Sequence, residues 1–451
     1  MRTTFNSKQI KNKLTPVQIL AGGFFVLILL GAILLTLPIA TVDRVSTNFI
    51  DAFFTSTSAV CVTGLVVVDT GTYWSMFGKT VIITLIEIGG LGFMSVATLF
   101  FLLLGKRITL KERMVMQEAM NYFSLQGLVK MARYILIFTF SVQLAGAAIL
   151  SIQFIPEYGP LKGIGYSLFH SISAFCNAGF DLMGNFTSIT KYSGNPLVMI
   201  TITVLVIVSG LGFFVWTDIY NYKKNRRLTL HSKIVLTMTA ILVVGGAILM
   251  FIFEYNNPDT IKNVPAGEKI LSSVFASVTP RTAGMNSIST DAMTNAGKFL
   301  TMILMFIGGS PGSTAGGIKT VTAGVLILTL KSFVKGKEDV EAFGRRINRE
   351  TVFKAVVIML ISLLLVIVST LLLSVTESNA DFEMIFFEAI SAFGTVGLSM
   401  GLTPKLSLGG KLIVAIAMYC GRVGPLTVAL ALGNKKRKGA IRYPEDKILV
   451  G

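Results

Sequence analysis

Four stretches decide the fold of this chain: AFFTSTSAVCVTGL at 52–65, SLFHSISAFCNAGF at 167–180, SSVFASVTPRTAGM at 272–285 and IFFEAISAFGTVGL at 385–398. Each stretch is an aromatic-led amphipathic turn followed by a Ser/Thr-rich run that ends at a glycine. The four end glycines, Gly64, Gly179, Gly284 and Gly397, are 115, 105 and 113 residues apart. The spacing predicts four tandem units, each made of a membrane helix, a short re-entrant helix, a glycine-ended loop and a second membrane helix.

The composition is that of a membrane protein. Of the 451 residues, 53% are hydrophobic and 14% are charged, and the mean hydropathy is +0.72, whereas a soluble domain carries roughly 25% charged residues. Apolar segments long enough to cross a bilayer occur at 16–38, 77–104, 132–154, 197–220, 232–253, 299–330, 352–375 and 410–432. The predicted fold class is an all-α integral membrane protein, with eight transmembrane helices and four re-entrant pore helices around one central pore.

The repeat also predicts the organisation of the chain. The four pore repeats are expected at 16–104, 132–220, 232–330 and 352–432. The connecting and terminal segments, all expected on the cytoplasmic side, are 1–15, 105–131, 221–231, 331–351 and 433–451.

The charge distribution predicts the orientation. Of the 40 Lys and Arg residues, 28 lie in or beside the terminal and connecting segments, and the opposite set of loops holds nine against 13 acidic residues. Because basic residues mark the cytoplasmic side of a membrane protein, both termini are expected in the cytoplasm. The net charge of +17 is therefore explained by topology and by contact with membrane lipid, and nucleic acid is not an expected partner.

The four glycine-ended loops are the candidate ion selectivity filter. A ring of backbone carbonyls can replace the water around a potassium ion, and glycine adopts the required backbone conformations without a steric penalty. Potassium is expected at the carbonyls of the four end glycines. The filter residues before each glycine are Val62 and Thr63, Asn177 and Ala178, Thr282 and Ala283, and Thr395 and Val396. The third loop has one residue fewer between Phe275 and its glycine than the other three loops have at the same place.

A second candidate site interrupts the second helix of the third unit. It consists of Gly308, Gly309, Ser310, Pro311, Gly312, Ser313, Thr314, Ala315, Gly316 and Gly317. Six of these ten residues are Gly or Pro, which disfavour a helix. Irregular backbone at membrane depth is tolerated only in protein or beside a cavity, so loop 308–317 is predicted to be a flexible gate across the pore.

Two basic residues are assigned to the same gate. Arg422 lies inside the last membrane segment, where a charge is costly and normally functional. Its expected partner is either a carbonyl of loop 308–317 or Glu87. Lys319 ends the loop. Its side chain either takes part in the gate or extends toward the cytoplasmic surface of the membrane. The glycine-rich stretches at 88–93 and 208–213 are expected to serve close helix packing.

The chain resembles the Trk/Ktr/HKT superfamily of potassium transporters, specifically the KtrB-type ion-translocating subunit of bacterial Ktr systems. The resemblance covers the whole chain and rests on the four filter glycines, on GGSPGSTAGGIKT at 308–320 and on Arg422. It implies potassium uptake across the cell membrane through the filter, with the loop as gate. It also implies a homodimer, a cytoplasmic KtrA-type nucleotide-binding regulatory ring, and sodium as an activator.

Two other function classes are weighed against a gated pore. A coupled cation symporter with alternating access also uses broken helices, but four similar units around one axis favour a pore. An enzyme is excluded because the sequence contains no nucleophile–base constellation and only two histidines. The chain shows no nucleotide-binding motif, and no cofactor is expected, so potassium is the substrate and nucleotide regulation would come from another chain.

Overall fold

The computed structural model describes residues 15–92, 110–120 and 127–432, together with Pro444 and Asp446. The predicted terminal segments 1–15 and 433–451, the end of the first unit's second helix and part of the segment 105–131 therefore lie largely outside the described residues. The described chain is almost entirely helical, with one two-stranded hairpin that pairs Glu341–Ala342 with Arg345–Arg346.

The first helix of every unit is long and apolar. These four helices are Pro16–Thr36, Leu128–Tyr158, Leu230–Glu254 and Arg349–Thr376, and among the described residues they are the ones that meet the length and composition for crossing a membrane as single helices. The third contains one π-helical turn at Ile241–Gly245. They overlap the predicted apolar segments, because about 20 apolar residues are needed to cross a bilayer, and three of them begin at the N-cap side chains Thr15, Thr229 and Asn348.

The pore helix of every unit is short. The four are Phe49–Cys61, Pro160–Cys176, Ala266–Val278 and Phe382–Gly394. The aromatic residue that leads each repeated stretch is buried in the core, at Phe54, Phe169, Phe275 and Phe387. One large buried apolar side chain therefore anchors each pore helix. Its distance along the chain from the end glycine is the same in three units and one residue shorter in the third unit.

The second helix of every unit begins at an N-cap side chain, and in the second, third and fourth units it is interrupted by a break. The caps are Ser75, Asn195, Thr294 and Ser407, each accepting a backbone N–H of the first turn, which satisfies donors that would otherwise have no partner. The helical parts are Met76–Leu91, Pro196–Gly210 with Phe213–Asn225, Asn295–Phe306 with Thr320–Val334, and Leu408–Val423 with Pro425–Leu432.

The breaks are more frequent than the sequence predicts. Only the interruption at 308–317 is expected, yet the second unit's helix bends by 89° between Gly210 and Phe213, and the fourth is interrupted at Gly424. Gly92, Gly212 and Gly424 share one backbone conformation, with φ of +78°, +89° and +96°. Only glycine adopts this conformation readily, so these glycines end helices in addition to packing.

At three of the four junctions between units, a polar side chain at or just before the start of one second helix contacts the first turn of the next pore helix. Lys411 Nζ lies 2.6 Å from Asp51 Oδ1, which joins the fourth unit to the first. Lys298 Nζ lies 3.5 Å from Glu383 Oε2, and Ser193 Oγ donates to Glu268 Oε1 at 2.8 Å. The Lys411–Asp51 pair therefore closes the circle of four units.

We expect the Lys411–Asp51 pair to stabilise the closed circle. Lys411→Met and Asp51→Leu should each destabilise the purified protein by roughly 1–3 kcal/mol, because each leaves a partly buried charged group without its hydrogen bond. The double variant should be no worse than the single ones. Thermal unfolding in detergent measures this. Lys337→Met is the control, because Lys337 and Glu341 form an exposed ion pair that contributes little to stability. If this variant lost as much stability as Lys411→Met, the Lys411–Asp51 pair would have no special role in closing the circle.

Candidate functional site

The four end glycines form a closed ring. A Cβ atom built on any one of them would collide with the backbone of the next loop. The colliding groups are the carbonyl oxygen of Ala178 for Gly64, Gly284 Cα at 3.0 Å for Gly179, the carbonyl oxygen of Val396 for Gly284, and the carbonyl oxygen of Thr63 for Gly397. The contacts run in chain order and return to the first unit, so no glycine of the ring can carry a side chain without displacing a neighbour.

The backbone of the ring is left-handed at two positions of each loop. The end glycines have φ of +91°, +72°, +70° and +95° in chain order, a region that disfavours other residues. Two residues earlier, Val62, Asn177 and Thr395 also have positive φ, between +50° and +59°, and end their pore helices there. The structure brings all twelve sequence-predicted filter residues into these four loops.

The third loop leaves its helix differently. Its pore helix ends at Val278, Thr279 keeps a right-handed conformation, and Thr282 has a φ of +73°. The loop contains one residue fewer than the others, so its backbone reaches the ring by another path. The backbone angles at the end of this pore helix thus differ from those of the other three units.

Three loops are fixed from behind by a hydroxyl at the end of the pore helix. Ser58 Oγ accepts the N–H of Gly64 at 3.0 Å, whereas Ser173 Oγ and Thr279 Oγ1 donate to the carbonyls of Phe180 and Met285, both at 2.6 Å. The fourth equivalent, Ser391, is buried without a hydrogen-bond partner for its hydroxyl. Sequence reasoning missed these residues, although a Ser or Thr five or six residues before each end glycine was a usable signal.

The first half of loop 308–317 is bound to the break in the second unit. The Ser310 N–H donates to the carbonyl of Gly210 at 2.9 Å, and the Phe213 N–H donates to the carbonyl of Gly312 at 3.0 Å. A Cβ on Gly212 would lie 2.6 Å from the carbonyl oxygen of Pro311. The groups freed by the helix break are therefore satisfied by the loop, as membrane-buried backbone requires.

The second half of the loop touches two of the filter loops. Thr314 Oγ1 accepts from Asn177 Nδ2 at 3.1 Å and donates to the carbonyl of Phe175 at 3.2 Å. A Cβ on Gly316 would collide with Thr395 Oγ1. The loop therefore lies directly against the second and fourth filter loops, and Gly316 allows the approach to the fourth because it has no side chain.

Arg422 joins the loop to the first unit. Its guanidinium donates to the carbonyls of Thr314, Gly89 and Gly90. Of its two expected partners, the loop carbonyl is the one it contacts. Glu87 is engaged elsewhere and accepts from Gln143 Nε2 at 2.8 Å and from Cys176 Sγ at 3.2 Å. The carbonyls of Gly89 and Gly90, which sequence reasoning missed, complete the coordination of a buried cationic group.

Lys319 also turns toward the loop. Its Nζ donates to the carbonyl of Ala315, so the side chain does not extend to the interface. The neck of the loop is closed by two backbone hydrogen bonds, from Ile318 to Phe306 at 3.3 Å and from Thr320 to Gly309 at 3.0 Å. All the residues predicted for the gate are thus in one contiguous cluster at the ring.

One carboxyl group follows the ring closely. Asp181 lies two residues beyond Gly179, and its Oδ1 accepts the Met183 N–H at 3.0 Å. Burial raises the pKa of this carboxyl group to about 6, and the hydrogen bond from Met183 opposes the shift. Its negative charge is therefore present at neutral pH and is lost as the pH falls through about 6.

The arrangement of the helices shows what class of protein this is. Four tandem units of helix, pore helix and second helix around one ring of glycine loops constitute a multi-pass membrane protein built around a central axis. The chain belongs to the TrkH family, whose model is described as "Cation transport protein" and matches residues 4–440. It is accordingly a membrane ion transporter and not an enzyme.

Relatives with closely similar sequences span the whole chain. It is 47% identical to the potassium/sodium uptake protein NtpJ of Enterococcus hirae, over 99% of this chain and 100% of the relative. It is 44% identical to the Ktr system potassium uptake protein B of Bacillus subtilis, over 97% of each. The crystal structure of the potassium transporter TrkH from Vibrio parahaemolyticus matches with a TM-score of 0.73 and 18% identity, covering 95% of this chain and 87% of that one. This likeness confirms the predicted fold class.

Proposed function

We propose that this protein takes up potassium across the cell membrane through the ring of glycine-ended loops. The observation that carries the proposal is the closure of the ring, in which each glycine touches the backbone of the next loop. Four loops of similar sequence can present backbone oxygens to a dehydrated cation from four sides. The names of the relatives, which refer to potassium or potassium/sodium uptake, support the choice of ion.

Growth of bacterial cells that lack their own potassium uptake tests this function. Expression of the chain should restore growth at low external potassium, and growth at high potassium without the chain serves as the control. Absence of rescue by protein that reaches the membrane, also when a KtrA-type subunit is expressed with it, would contradict the proposal. Rescue that requires added sodium would favour sodium as an activator, the role that the resemblance implies.

Loop 308–317 is proposed to be the gate, with Lys319 and Arg422 as its attachments. The loop is bound at one end to the break at Gly210–Phe213 and at the other to Asn177 and Arg422. Because these contacts are a few hydrogen bonds rather than a packed apolar core, the loop can leave at modest cost. The guanidinium of Arg422 beside the ring would also oppose the passage of cations.

Regulation is proposed to come from a separate subunit. Relatives named as protein B or D of a Ktr system support assembly with a KtrA-type nucleotide-binding ring, and the same resemblance supports a homodimer. The Lys- and Arg-rich connecting segments, such as 331–351, are the proposed cytoplasmic surface, with both termini on that side. Chemical cross-linking of this chain in the presence and in the absence of such a ring tests the assembly. A cross-linked product should form only when the ring is present.

A further inference from the structure

One filter residue is connected to the gate through its side chain. The positions two residues before the ring glycines hold Val62, Asn177, Thr282 and Thr395. The hydroxyls of Thr282 and Thr395 are buried without a hydrogen-bond partner, and Val62 has no polar side-chain atom. Asn177 is fully buried and has partners on both sides of its amide. Among these four described positions, Asn177 alone has hydrogen-bond partners for its side chain.

One partner of Asn177 belongs to the gate, and the other belongs to the helix end to which the gate is hydrogen-bonded. Asn177 Nδ2 donates to Thr314 Oγ1 at 3.1 Å, and Asn177 Oδ1 accepts from Ser209 Oγ at 3.2 Å. Ser209 precedes Gly210, whose carbonyl receives the Ser310 N–H of the loop. When the loop leaves, the Asn177 amide loses its acceptor in a buried environment, where an unpaired polar group is unfavourable.

A change at Asn177 reaches the ring through the next peptide. The left-handed backbone of Asn177, with a φ of +59°, ends the pore helix. The following residue, Ala178, has the carbonyl oxygen that lies against Gly64. Rotation at Asn177 to find a new partner would therefore move an oxygen of the ring itself, and the ring's size and oxygen positions decide which cation fits.

We propose that Asn177 is a positioning residue that makes the ion preference of the ring depend on the gate. With Thr314 seated, the second filter loop is held and potassium is preferred. Ions pass when the half of the loop that is bound at Gly210–Phe213 opens while Thr314 stays on Asn177; when Thr314 is displaced as well, the second filter loop relaxes and sodium competes better. This inference rests on the proposed function, because it takes the ring as the filter and loop 308–317 as the gate.

The test is the competition of sodium against tracer rubidium uptake into liposomes. Thr314→Val keeps the size of the side chain and the carbonyl that Arg422 contacts, but removes the acceptor of Asn177. Asn177→Leu removes the other partner. Each should lower the preference for potassium over sodium about fivefold or more, and the double variant should show the same loss rather than the product, because both remove one coupling.

Thr139→Val is the matched control. Thr139 is also fully buried, its hydroxyl has no hydrogen-bond partner, and it lies in the first helix of the second unit. This variant should leave the ion preference unchanged. If Thr314→Val does not fold, Ser209→Ala removes the remaining bond to Asn177 and is expected to shift the preference in the same direction.

Two outcomes would overturn the inference. A change in total uptake with unchanged ion preference would show that Asn177 does not position the ring, and fully multiplicative losses in the double variant would show that Asn177 and Thr314 act separately. Gly397→Ala in the same assay separates this failure from failure of the proposed function. If that variant alters competition while Thr314→Val and Asn177→Leu do not, the ring is the filter and only the coupling is wrong.

Discussion

Gly397→Ala is expected to abolish potassium-selective uptake. The position has a φ of +95°, and a Cβ there would collide with the carbonyl oxygen of Thr63 and lie 3.1 Å from Gly64 Cα. The backbone around Gly397 has no room for the atom, so either the first or the fourth loop must move and its oxygen leaves the ring. We expect rubidium uptake to fall at least tenfold, since the loss of one well-placed ion ligand costs more than about 1.4 kcal/mol.

Gly401→Ala is the control for backbone strain. Gly401 also has a positive φ, of +84°, and lies four residues later, but a Cβ there has no heavy atom within 4 Å. This variant should fold somewhat less stably and still take up rubidium with its preference for potassium intact. Equal effects of the two substitutions would show that strain, and not the ring, explains the loss at Gly397.

Gly212→Ala is expected to raise uptake several-fold in the absence of any regulatory subunit. The residue has a φ of +89°, and its Cβ would lie 2.6 Å from the Pro311 carbonyl oxygen. The substitution therefore opposes both the break of the helix and the seating of the loop, and a bias of about 1 kcal/mol already changes the open to closed ratio about fivefold. Initial rates of rubidium uptake by the purified protein in liposomes measure it.

Gly210→Ala is the matched control for this substitution. Gly210 lies two residues earlier in the same break, its φ is not positive, and a Cβ there has no heavy atom within 4 Å. The carbonyl that receives the Ser310 N–H is retained, so uptake should stay at the level of the unchanged protein. Unaltered uptake by folded Gly212→Ala, or a rise in both variants, would argue against a gate seated at this break.

The fold and the ring were largely predictable because they repeat. Each unit repeats a buried aromatic residue, a Ser/Thr-rich turn and a glycine, and a pattern that occurs four times is hard to produce by chance. The membrane helices follow from hydropathy, and the break at 308–317 follows from six helix-disfavouring residues in ten. These features depend on local sequence, which is why they could be read from it.

The contact of loop 308–317 with the helix break at 210–212 could not be predicted, for a physical reason. A single Gly-Leu-Gly such as 210–212 within an apolar helix is equally consistent with close packing. Its opening becomes favourable only because loop 308–317, about a hundred residues later, supplies partners for the freed backbone groups. Likewise, the sequence left two partners open for Arg422, since it does not give the rotation of a helix, and the structure places the Thr314 carbonyl there.

The central claim is tested most directly by tracer rubidium uptake into liposomes that contain this chain alone, with potassium or sodium as competitor. We predict uptake that potassium blocks and sodium does not, without obligatory movement of sodium, and a faster rate for Gly212→Ala. Uptake that stops unless sodium moves with the tracer would instead support a coupled symporter. Uptake blocked equally by both ions, or absent from both proteins, would contradict a potassium-selective ring closed by loop 308–317.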